Sequence, residues 1–419
     1  MRAALWLLAL FGVAVAIALF AGNNQGTVTL FWPPYRLDLS LNLVLLLLFG
    51  AFVFLHAALG ALAALFDLPR QALRWRSQQK ERAMHAALLD AAGHLLAGRF
   101  IRARKSAEAS LAQEKSLAAG GERLAAGAQV RSLAHLLAAE SAQALQDRPG
   151  REEHLKLALE QAAVHGAQEM HEGALMRAAR WALDDRDPHA AMGWIKGMPQ
   201  GAARRTLALR IRLKAARLAR HTGEALETAR LLAKHRAFSA GAAQSIVRGL
   251  AIDLLNDAHD AVQLQRAWEA LEPAERQMPE LAIHAAQRLS ALGGEAQLAR
   301  NWLLPAWEQQ AALGDLLKTR LVRALEAGLA SIDAEWLARI EAAHRTNPRD
   351  AAMAYLAGMA CMHRQLWGKA QQLLTQAAMG LQDAGLHRNA WRALARLAED
   401  RGDMQAAAHG WKRAAGDQA

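Results

Sequence analysis

Two uninterrupted apolar runs lie within the first 66 residues of the chain. The first covers residues 3–21 without a polar side chain, and the second covers residues 43–66 with His56 as its only ionisable group. A helix of about 20 apolar residues is long enough to cross a hydrocarbon core of about 30 Å. The pattern therefore predicts two N-terminal transmembrane helices. The amphipathic sequence that follows them predicts a large helical domain outside the membrane.

The charges that flank the two runs predict their orientation. Only Arg36 and Asp38 carry charge between the runs. Five membrane-proximal basic residues follow the second run: Arg70, Arg74, Arg76, Lys80 and Arg82. Lys and Arg near the ends of membrane spans stay on the cytoplasmic side. We therefore expect a two-span protein of the bacterial inner membrane, with both termini and the main domain cytoplasmic and residues 22–42 as a short periplasmic loop.

The first run has a second interpretation, as a cleaved signal peptide. Arg2 gives a basic start, and Ala16-Ile17-Ala18 resembles a cleavage site. That site lies inside the apolar stretch rather than after it, and the length of the run fits a membrane span better. We expect the first span to be retained; if it were cleaved, the second span would be the remaining anchor.

The predicted loop between the spans has a pattern of its own. Residues 27–32 and 36–41 alternate between polar and apolar side chains, and Pro33-Pro34 separates them. Alternation on both sides of a turn predicts a small two-stranded ribbon. An irregular extended connector fits the same residues, and the sequence alone leaves both interpretations open.

From about residue 81 onward, one amphipathic helix follows another. Short turn signals recur between them, at Ala97-Gly98, Pro149-Gly150, Asp187-Pro188, Thr222-Gly223, Gly293-Gly294, Asn347-Pro348 and Arg401-Gly402. Ala and Leu dominate the apolar residues, which favours helix over sheet. We therefore divide the chain into a transmembrane hairpin at 1–66, a basic juxtamembrane segment at 67–80 and a cytoplasmic helical-repeat domain at 81–419.

A spaced set of small and large residues near the C-terminus predicts the kind of repeat. The first copy is Gly358, Ala370, Leu374 and Ala377, and the second copy is Ala395, Ala407, Trp411 and Ala414. Small residues let two helices approach closely and a large one fills the space beside them, as in a tetratricopeptide repeat. The predicted fold is all-α, with two transmembrane helices followed by a tetratricopeptide-like α-solenoid. Residues 150–340 are helical, but their repeat boundaries are too degenerate to place.

The net charge of +11 is concentrated in two places. The segment 67–105 holds nine Lys or Arg against three acids, which membrane proximity explains. The segment 188–223 has no Asp or Glu, and Arg210, Lys214 and Arg217 fall on one helical face within it. This face is either a docking surface for carboxylates, phosphates or an acidic partner, or an exposed basic face whose acids come from a neighbouring helix. Nucleic-acid binding is not expected, because no recognition motif accompanies the charge.

Catalytic and metal-binding motifs do not occur in the sequence. It contains no Gly-rich phosphate loop, no Gly-x-Ser-x-Gly elbow and no His-Glu-x-x-His. The 16 histidines are scattered, and the single Cys361 excludes a multi-cysteine metal site. We therefore expect a non-catalytic protein with no cofactor, in which partner binding by the concave face of a solenoid is the main activity.

The N-terminal motifs give the chain a family resemblance. They are Gly26-Thr27-Val28 in the loop, Leu68-Pro69-Arg70 after the second run, and Arg74-Trp75-Arg76. With the helical repeats that follow, the chain resembles the HemY family of proteobacteria, membrane-anchored repeat proteins associated with haem biosynthesis. The resemblance implies a role in porphyrin metabolism at a late step, and the family has no established catalytic residues to carry over. The flavin-dependent porphyrinogen oxidase of the same name does not fit, because it needs an N-terminal dinucleotide-binding strand where this chain has an apolar run.

Three functions follow as expectations. The resemblance implies an inner-membrane scaffold that binds tetrapyrrole-pathway enzymes or intermediates through its repeat groove. The first alternative is direct binding or conversion of porphyrin or haem, with the basic segment near Trp194 receiving the carboxylates and the flat ring. The second alternative is a general envelope-assembly scaffold. Known single-span scaffolds of that kind carry a zinc module with paired Cys-x-x-Cys, which one cysteine does not supply.

Overall fold

The computed structural model describes residues 11–15, 17, 18, 22, 25–121, 124–163 and 167–416. Most of the first predicted span, residues 3–21, lies outside these residues. Within them, one helical segment of 23 residues is long and apolar enough to cross a membrane, Leu41–Ala63, and none of its residues is buried. This segment corresponds to the second predicted span.

A two-stranded antiparallel ribbon precedes this segment. Strand β1 is Thr27–Trp32 and strand β2 is Tyr35–Ser40, with Thr27 opposite Ser40 and Trp32 opposite Tyr35. The ribbon interpretation of the alternating pattern is confirmed, and the irregular connector is wrong. Ser40 then caps the following helix, because its side chain accepts a hydrogen bond of 3.3 Å from the backbone N of Leu43.

Helix α1, Leu41–Leu96, is continuous over 56 residues. At 1.5 Å per residue it is about 84 Å long, far more than a membrane requires. It passes through the juxtamembrane segment 67–80 without a break, although Pro69 lies within it. The predicted boundaries at 66 and 80 therefore do not coincide with helix ends, and the same helix provides both the membrane-capable segment and the start of the helical domain.

The chain divides into two compact units, Met1–His171 and Glu172–Ala419. In the first unit, α1 is followed by α2 (Phe100–Ala119), α3 (Gly127–Ala144) and α4 (Arg148–Ala162). The C-terminal part of α1 packs on α2, and one fully buried alanine from each of α1, α2 and α3 lies where the three helices meet: Ala91, Ala107 and Ala138. This boundary falls inside the segment 81–419, which the sequence treats as one repeat domain.

The second unit begins within α5 and contains the remaining helices. Their bounds are α5 (Gln168–Asp184), α6 (Pro188–Lys196), α7 (Gln200–Ala203), α8 (Thr206–Leu218), α9 (Thr222–Lys234), α10 (Ala240–Asn256), α11 (Ala261–Glu269), α12 (Pro273–Arg276), α13 (Pro279–Ala291), α14 (Ala296–Glu308), α15 (Asp315–Glu326), α16 (Ala334–Thr346), α17 (Ala351–His363), α18 (Trp367–Gly380), α19 (Ala384–Glu399) and α20 (Met404–Ala415). Two short 3-10 helices, Gln310–Ala312 and Leu329–Ser331, lie among them.

A row of non-consecutive helices in this unit packs together, in addition to the contacts between sequence neighbours. The row consists of α10, α13, α15, α17 and α19. These helices begin at Ala240, Pro279, Asp315, Ala351 and Ala384, so successive members start 33 to 39 residues apart. The spacing gives helical-repeat boundaries for residues 240–340, part of the stretch 150–340 in which the sequence was too degenerate to place them. One continuous apolar core, from Leu209 to Leu397, runs through the repeats.

The predicted turn signals all lie at or beside helix ends, and two of them fall inside the first turn of a helix rather than between helices. Pro149 and Gly150 are not between helices but in the first turn of α4, where Asp147 caps the helix by accepting from the backbone N of Gly150 at 3.0 Å. Proline is well tolerated there because the first helical N–H groups have no intrahelical acceptor. Thr222 and Gly223 likewise open α9.

The predicted repeat residues of the first copy lie in the interface of α17 and α18. Gly358 faces Leu374, and Ala370, Leu374 and Ala377 have no exposed surface. In the second copy, Ala395, Ala407 and Ala414 are buried between α19 and α20. Trp411 differs from Leu374: it is 37% exposed and its indole N–H donates to Glu399 Oε1 at 2.7 Å. Gly410, one residue earlier, makes the close contact with Ala395 instead.

Candidate functional site

A basic cleft lies between α5 and α8 in the second unit. Its volume is about 340 Å³. Four cationic side chains and one carboxylate line it: Arg177, Arg180, Arg210, Lys214 and Asp184. Apolar side chains complete the lining, at Met176, Leu183, Leu207 and Ile211. The cleft therefore combines a strong excess of positive charge with an apolar surface, which suits an anionic ligand or peptide that also has an apolar part.

The cleft is basic because of how the two helices divide their faces. Helix α8 buries its apolar side, including Leu209 and Leu213, and turns Arg210 and Lys214 outward one turn apart. Helix α5 buries Trp181 and leaves Arg177 and Arg180 exposed at the i, i+3 spacing that places them side by side. The cations of both helices thus meet across the cleft.

Arg210 already has protein partners in this arrangement. Its Nη2 donates to the carbonyl oxygen of Ala237 at 2.9 Å, and its guanidinium carbon lies 5.9 Å from the centre of the Phe238 ring. Arg210 therefore anchors the segment that follows α9. Lys214, by contrast, forms neither an ion pair nor a hydrogen bond with the described residues, so its ammonium group is available to a ligand.

Arg210, Lys214 and Arg217, which the sequence places on one helical face, do not all line the same cleft. Arg217 lines a neighbouring cleft of about 340 Å³ with Arg220, Asp253 and Asp257. Two carboxylates therefore face it, and Asp257 accepts from the hydroxyl of Thr222 at 2.6 Å. Arg210 and Lys214 share the basic cleft, whereas Arg217 belongs to a surface of mixed charge.

Two other cations of the basic segment are paired with acids from other helices. Arg212 contacts Glu224 at 2.8 Å, and Arg205 contacts Glu172 at 2.8 Å. For these two residues the structure matches the interpretation in which a neighbouring helix supplies the acids. Trp194 is half-buried on α6 and is not among the residues that line the cleft.

Sequence reasoning missed Arg177 and Arg180. They lie upstream of the acid-free segment, and Asp184 and Asp185 follow them, so local charge does not make them conspicuous. Their i, i+3 spacing was the available signal, but only the packing of α5 beside α8 brings them to Lys214.

The membrane-proximal basic residues lie on the part of α1 that follows the apolar segment. Arg74, Arg76, Lys80 and Arg82 are exposed. Lys80 donates to the hydroxyl of Ser116 on α2 at 2.7 Å, while the side chain of Arg70 lies outside the described residues. Arg74 and Arg76, about 12 and 15 Å along the helix axis beyond Phe66, are the members of this exposed set nearest to anionic headgroups if the apolar segment is in a bilayer.

Metal-binding and redox chemistry have little support among the described residues. No group of three or more His, Cys, Asp or Glu side chains is arranged to hold a metal ion there. Cys361 is fully buried, and burial raises the pKa of its thiol, which lowers its reactivity. His135 and His154 form a close pair with 3.1 Å between their Nδ1 atoms, on α3 and α4.

Comparison with known proteins gives one family. Residues 26–146 match the model of the HemY protein N-terminus. The resemblance of the sequence to the HemY family is confirmed by this match. A search of curated proteins finds no significant match.

Among solved structures, the chain matches one from a complex described as Naa15/Naa10 bound to HypK-THB, with 12% sequence identity and a TM-score of 0.22. The alignment covers 75% of this chain and 56% of that chain. This likeness is too distant to bear on function.

Proposed function

We propose, from the HemY family membership that residues 26–146 support, that this chain is a membrane-anchored helical-repeat scaffold in haem biosynthesis. The observation that carries the proposal is the continuity of α1. No residue of its apolar first segment is buried, while its last part packs on α2 and starts the helical domain. A continuous helix of this kind holds the first unit, which α1 itself begins, at a fixed distance from the membrane.

In this proposal the protein crosses the membrane twice. Residues 3–21 would be the first span and α1 the second, with the ribbon in the periplasm and the repeats in the cytoplasm. The excess of Lys and Arg after the second span supports this orientation. The repeats of 33 to 39 residues support a tetratricopeptide-like solenoid, whose grooves bind peptide segments of partner proteins.

The scaffold would act by concentration rather than by chemistry. Holding two enzymes on one surface raises the local concentration of each relative to the other. We propose that the chain itself is not an enzyme, a proposal supported by the absence of catalytic motifs from its sequence.

A crosslinked pull-down from native membranes tests the proposal. The full chain is compared with residues 1–98, because α1 is unbroken to Leu96 and a cut at Gly98 leaves that helix whole. We expect tetrapyrrole-pathway enzymes to be enriched with the full chain only. Enrichment of lipopolysaccharide or cell-division proteins instead would refute the role in haem biosynthesis.

The basic cleft favours a second candidate function, direct binding of a tetrapyrrole or its precursor. Such molecules carry several carboxylates on an apolar framework, which matches the cations and the apolar lining of the cleft. Arg180 and Lys214 approach it from two different helices.

Porphyrin binding to the detergent-solubilised full chain tests this candidate. Replacing Arg180 and Lys214 together by Ala should weaken binding at least about tenfold, as loss of two charge-assisted contacts implies. The matched control replaces Lys196 and Arg204, which are exposed and basic but do not line the cleft. If both double variants bind porphyrin with the same affinity as the parent chain, the basic cleft is not a tetrapyrrole site and this candidate function is refuted.

A further inference from the structure

The ribbon before α1 has one polar and one apolar face. Residues opposite each other in an antiparallel pair project to the same side, and successive pairs alternate. The polar face carries the pairs Thr27 with Ser40, Thr29 with Asp38, and Phe31 with Arg36. The apolar face carries the pairs Val28 with Leu39, Leu30 with Leu37, and Trp32 with Tyr35. All six residues on the second face are thus apolar or aromatic.

Side-chain contacts agree with this assignment of faces. Arg36 contacts the carboxylate of Asp38, two residues away on the same face, at 3.5 Å. The guanidinium carbon of Arg36 also lies 5.3 Å from the centre of the Phe31 ring across the ribbon. The two charges of the polar face therefore pair with each other, and Phe31, which is 74% exposed, is the one apolar side chain on this face.

The apolar face is open over most of its length. Leu30 and Leu37 are 52% and 54% exposed, and Trp32 and Tyr35 at the tip are both 71% exposed. On this face, only Val28 and Leu39, the pair nearest to α1, are half-buried. A two-stranded ribbon is at best marginally stable by itself in water, so a face of this kind needs something to cover it.

The position of the ribbon limits what the cover can be. The backbone N of Leu41, the first residue of α1, donates to the carbonyl oxygen of Gly26 at 2.9 Å. Ser40 ends β2 and caps α1, so the base of the ribbon is fixed to the end of the membrane-capable segment Leu41–Ala63. Strands of six residues extend about 20 Å, too short to leave the neighbourhood of the bilayer. Trp and Tyr are also the residues enriched where a bilayer meets water.

We infer that the apolar face of the ribbon lies on the bilayer surface, with Trp32 and Tyr35 at the level of the headgroups and the polar face toward water. The ribbon then braces the end of α1 opposite the helical domain. This inference rests on the membrane anchoring that the proposed function includes, but not on the role in haem biosynthesis.

Spin labelling of the full chain in vesicles of phosphatidylethanolamine and phosphatidylglycerol tests the inference. Single cysteines replace neighbours on opposite faces, in the matched pairs Leu30→Cys with Thr29→Cys and Leu37→Cys with Asp38→Cys. The parent chain, whose sole Cys361 is fully buried, is the control for labelling. Leu47→Cys in the apolar segment and Asp400→Cys after α19 give the reference values for lipid and for water.

Collisions with oxygen, which concentrates in lipid, are compared with collisions with a water-soluble nickel chelate. We expect labels at 30 and 37 to approach the value at 47, and labels at 29 and 38 to approach the value at 400. Equal access of the chelate to all four ribbon positions would overturn the inference. Protection of 30 and 37 from both agents would also overturn it, because it would mean that protein covers the face.

The reference at 47 separates this inference from the proposed anchoring. If the label at position 47 reports lipid while the labels at positions 30 and 37 report water, the inference about the ribbon is wrong and the proposed membrane anchoring is still supported. If 47 itself reports water, the anchoring fails, and the inference fails with it.

Discussion

Gly358 on α17 lies directly against Leu374 on α18. A Cβ atom built on Gly358 would be 2.7 Å from Leu374 Cγ and 3.1 Å from its backbone N. Carbon atoms do not approach that closely, so the two helices touch here only because position 358 has no side chain. The contact fixes the helix pair at the C-terminal end of the core.

We therefore expect Gly358→Ala to destabilise the second unit by about 1–3 kcal/mol, the usual cost of overpacking a buried contact. Gly368 on the same helix pair is the matched control, because a Cβ there meets nothing within 4 Å. Gly368→Ala should leave stability unchanged or raise it slightly, since Ala is the better helix former. Urea unfolding of the solubilised chain measures both, and equal midpoints for the two variants would contradict the packing argument.

The contact between Gly358 and Leu374 also indicates how far the sequence predicts the fold. The spacing from Gly358 to Leu374 identified a helix-pair contact, because small and large residues recur at fixed intervals there. The same spacing led to Trp411, although Gly410 makes the contact with Ala395. The alanines of that copy are buried as expected, but which residue of α20 touches Ala395 depends on how the two helices cross, and residue spacing does not contain that information.

A buried arginine joins α14 to the short helix Leu329–Ser331. Arg300 is 4% exposed, and its Nη1 donates to the carbonyl oxygen of Gly328 at 2.8 Å. Its Nη2 donates to the carbonyl oxygen of Ser331 at 3.0 Å. Arg300→Met keeps most of the volume but leaves these buried carbonyl groups without a donor, so we expect a loss of about 3 kcal/mol.

Arg339→Met is the control for Arg300→Met. Arg339 makes an ion pair of 2.7 Å with Glu335 one turn away, and that carboxylate is largely exposed. Exposed pairs of this kind contribute less than about 1 kcal/mol. Hydrogen exchange in the segment 328–331 should accelerate in Arg300→Met alone; protection as strong as in the parent chain would show that Arg300 does not hold this segment.

The pair of His135 and His154 makes the first unit sensitive to acid. Loss of solvent contact, and then the proximity of His154, lower the pKa of His135 to about 4, whereas an unfolded histidine titrates near 6.5. Between these values the unfolded chain binds a proton that the folded chain does not. The stabilisation is therefore complete above about pH 6.5 and is lost as the pH falls toward 4.

His135→Gln should reduce this acid sensitivity. Because the ring is partly exposed and screened by water, we expect the stability difference between pH 7 and pH 4 to shrink by only about 1 kcal/mol. His259→Gln, at an exposed histidine of the second unit, is the control. Parallel pH profiles for all three chains, measured by thermal unfolding in detergent, would show that the pair is not the cause.

The sequence predicts only some of the residues that line the basic cleft. Helical periodicity placed Arg210 and Lys214 on one face, since that needs only the spacing of residues within one helix. The contribution of Arg180 and the separation of Arg217 depend on which helices become neighbours. That arrangement is set by long-range packing of the repeats, which local spacing does not contain.

Tyr355 gives the last prediction, because the chain has only two tyrosines. Its side chain is fully buried on α17, and its hydroxyl donates to Glu326 Oε1 at 2.5 Å. Burial first, and then this bond to a carboxylate, raise the pKa of the phenol above its usual range. In Tyr35→Phe, where Tyr355 is the remaining tyrosine, we expect no phenolate absorbance as the pH passes about 10 until the helical circular dichroism is lost. Above about pH 10 the folded state keeps a proton that the unfolded state releases, so the free energy of unfolding falls as the pH rises further. Combining Tyr35→Phe with Tyr355→Phe should remove the part of this fall that Tyr355 causes. Phenolate absorbance near pH 10 in a chain that is still helical would show that the hydroxyl of Tyr355 is accessible to water and is not held by Glu326.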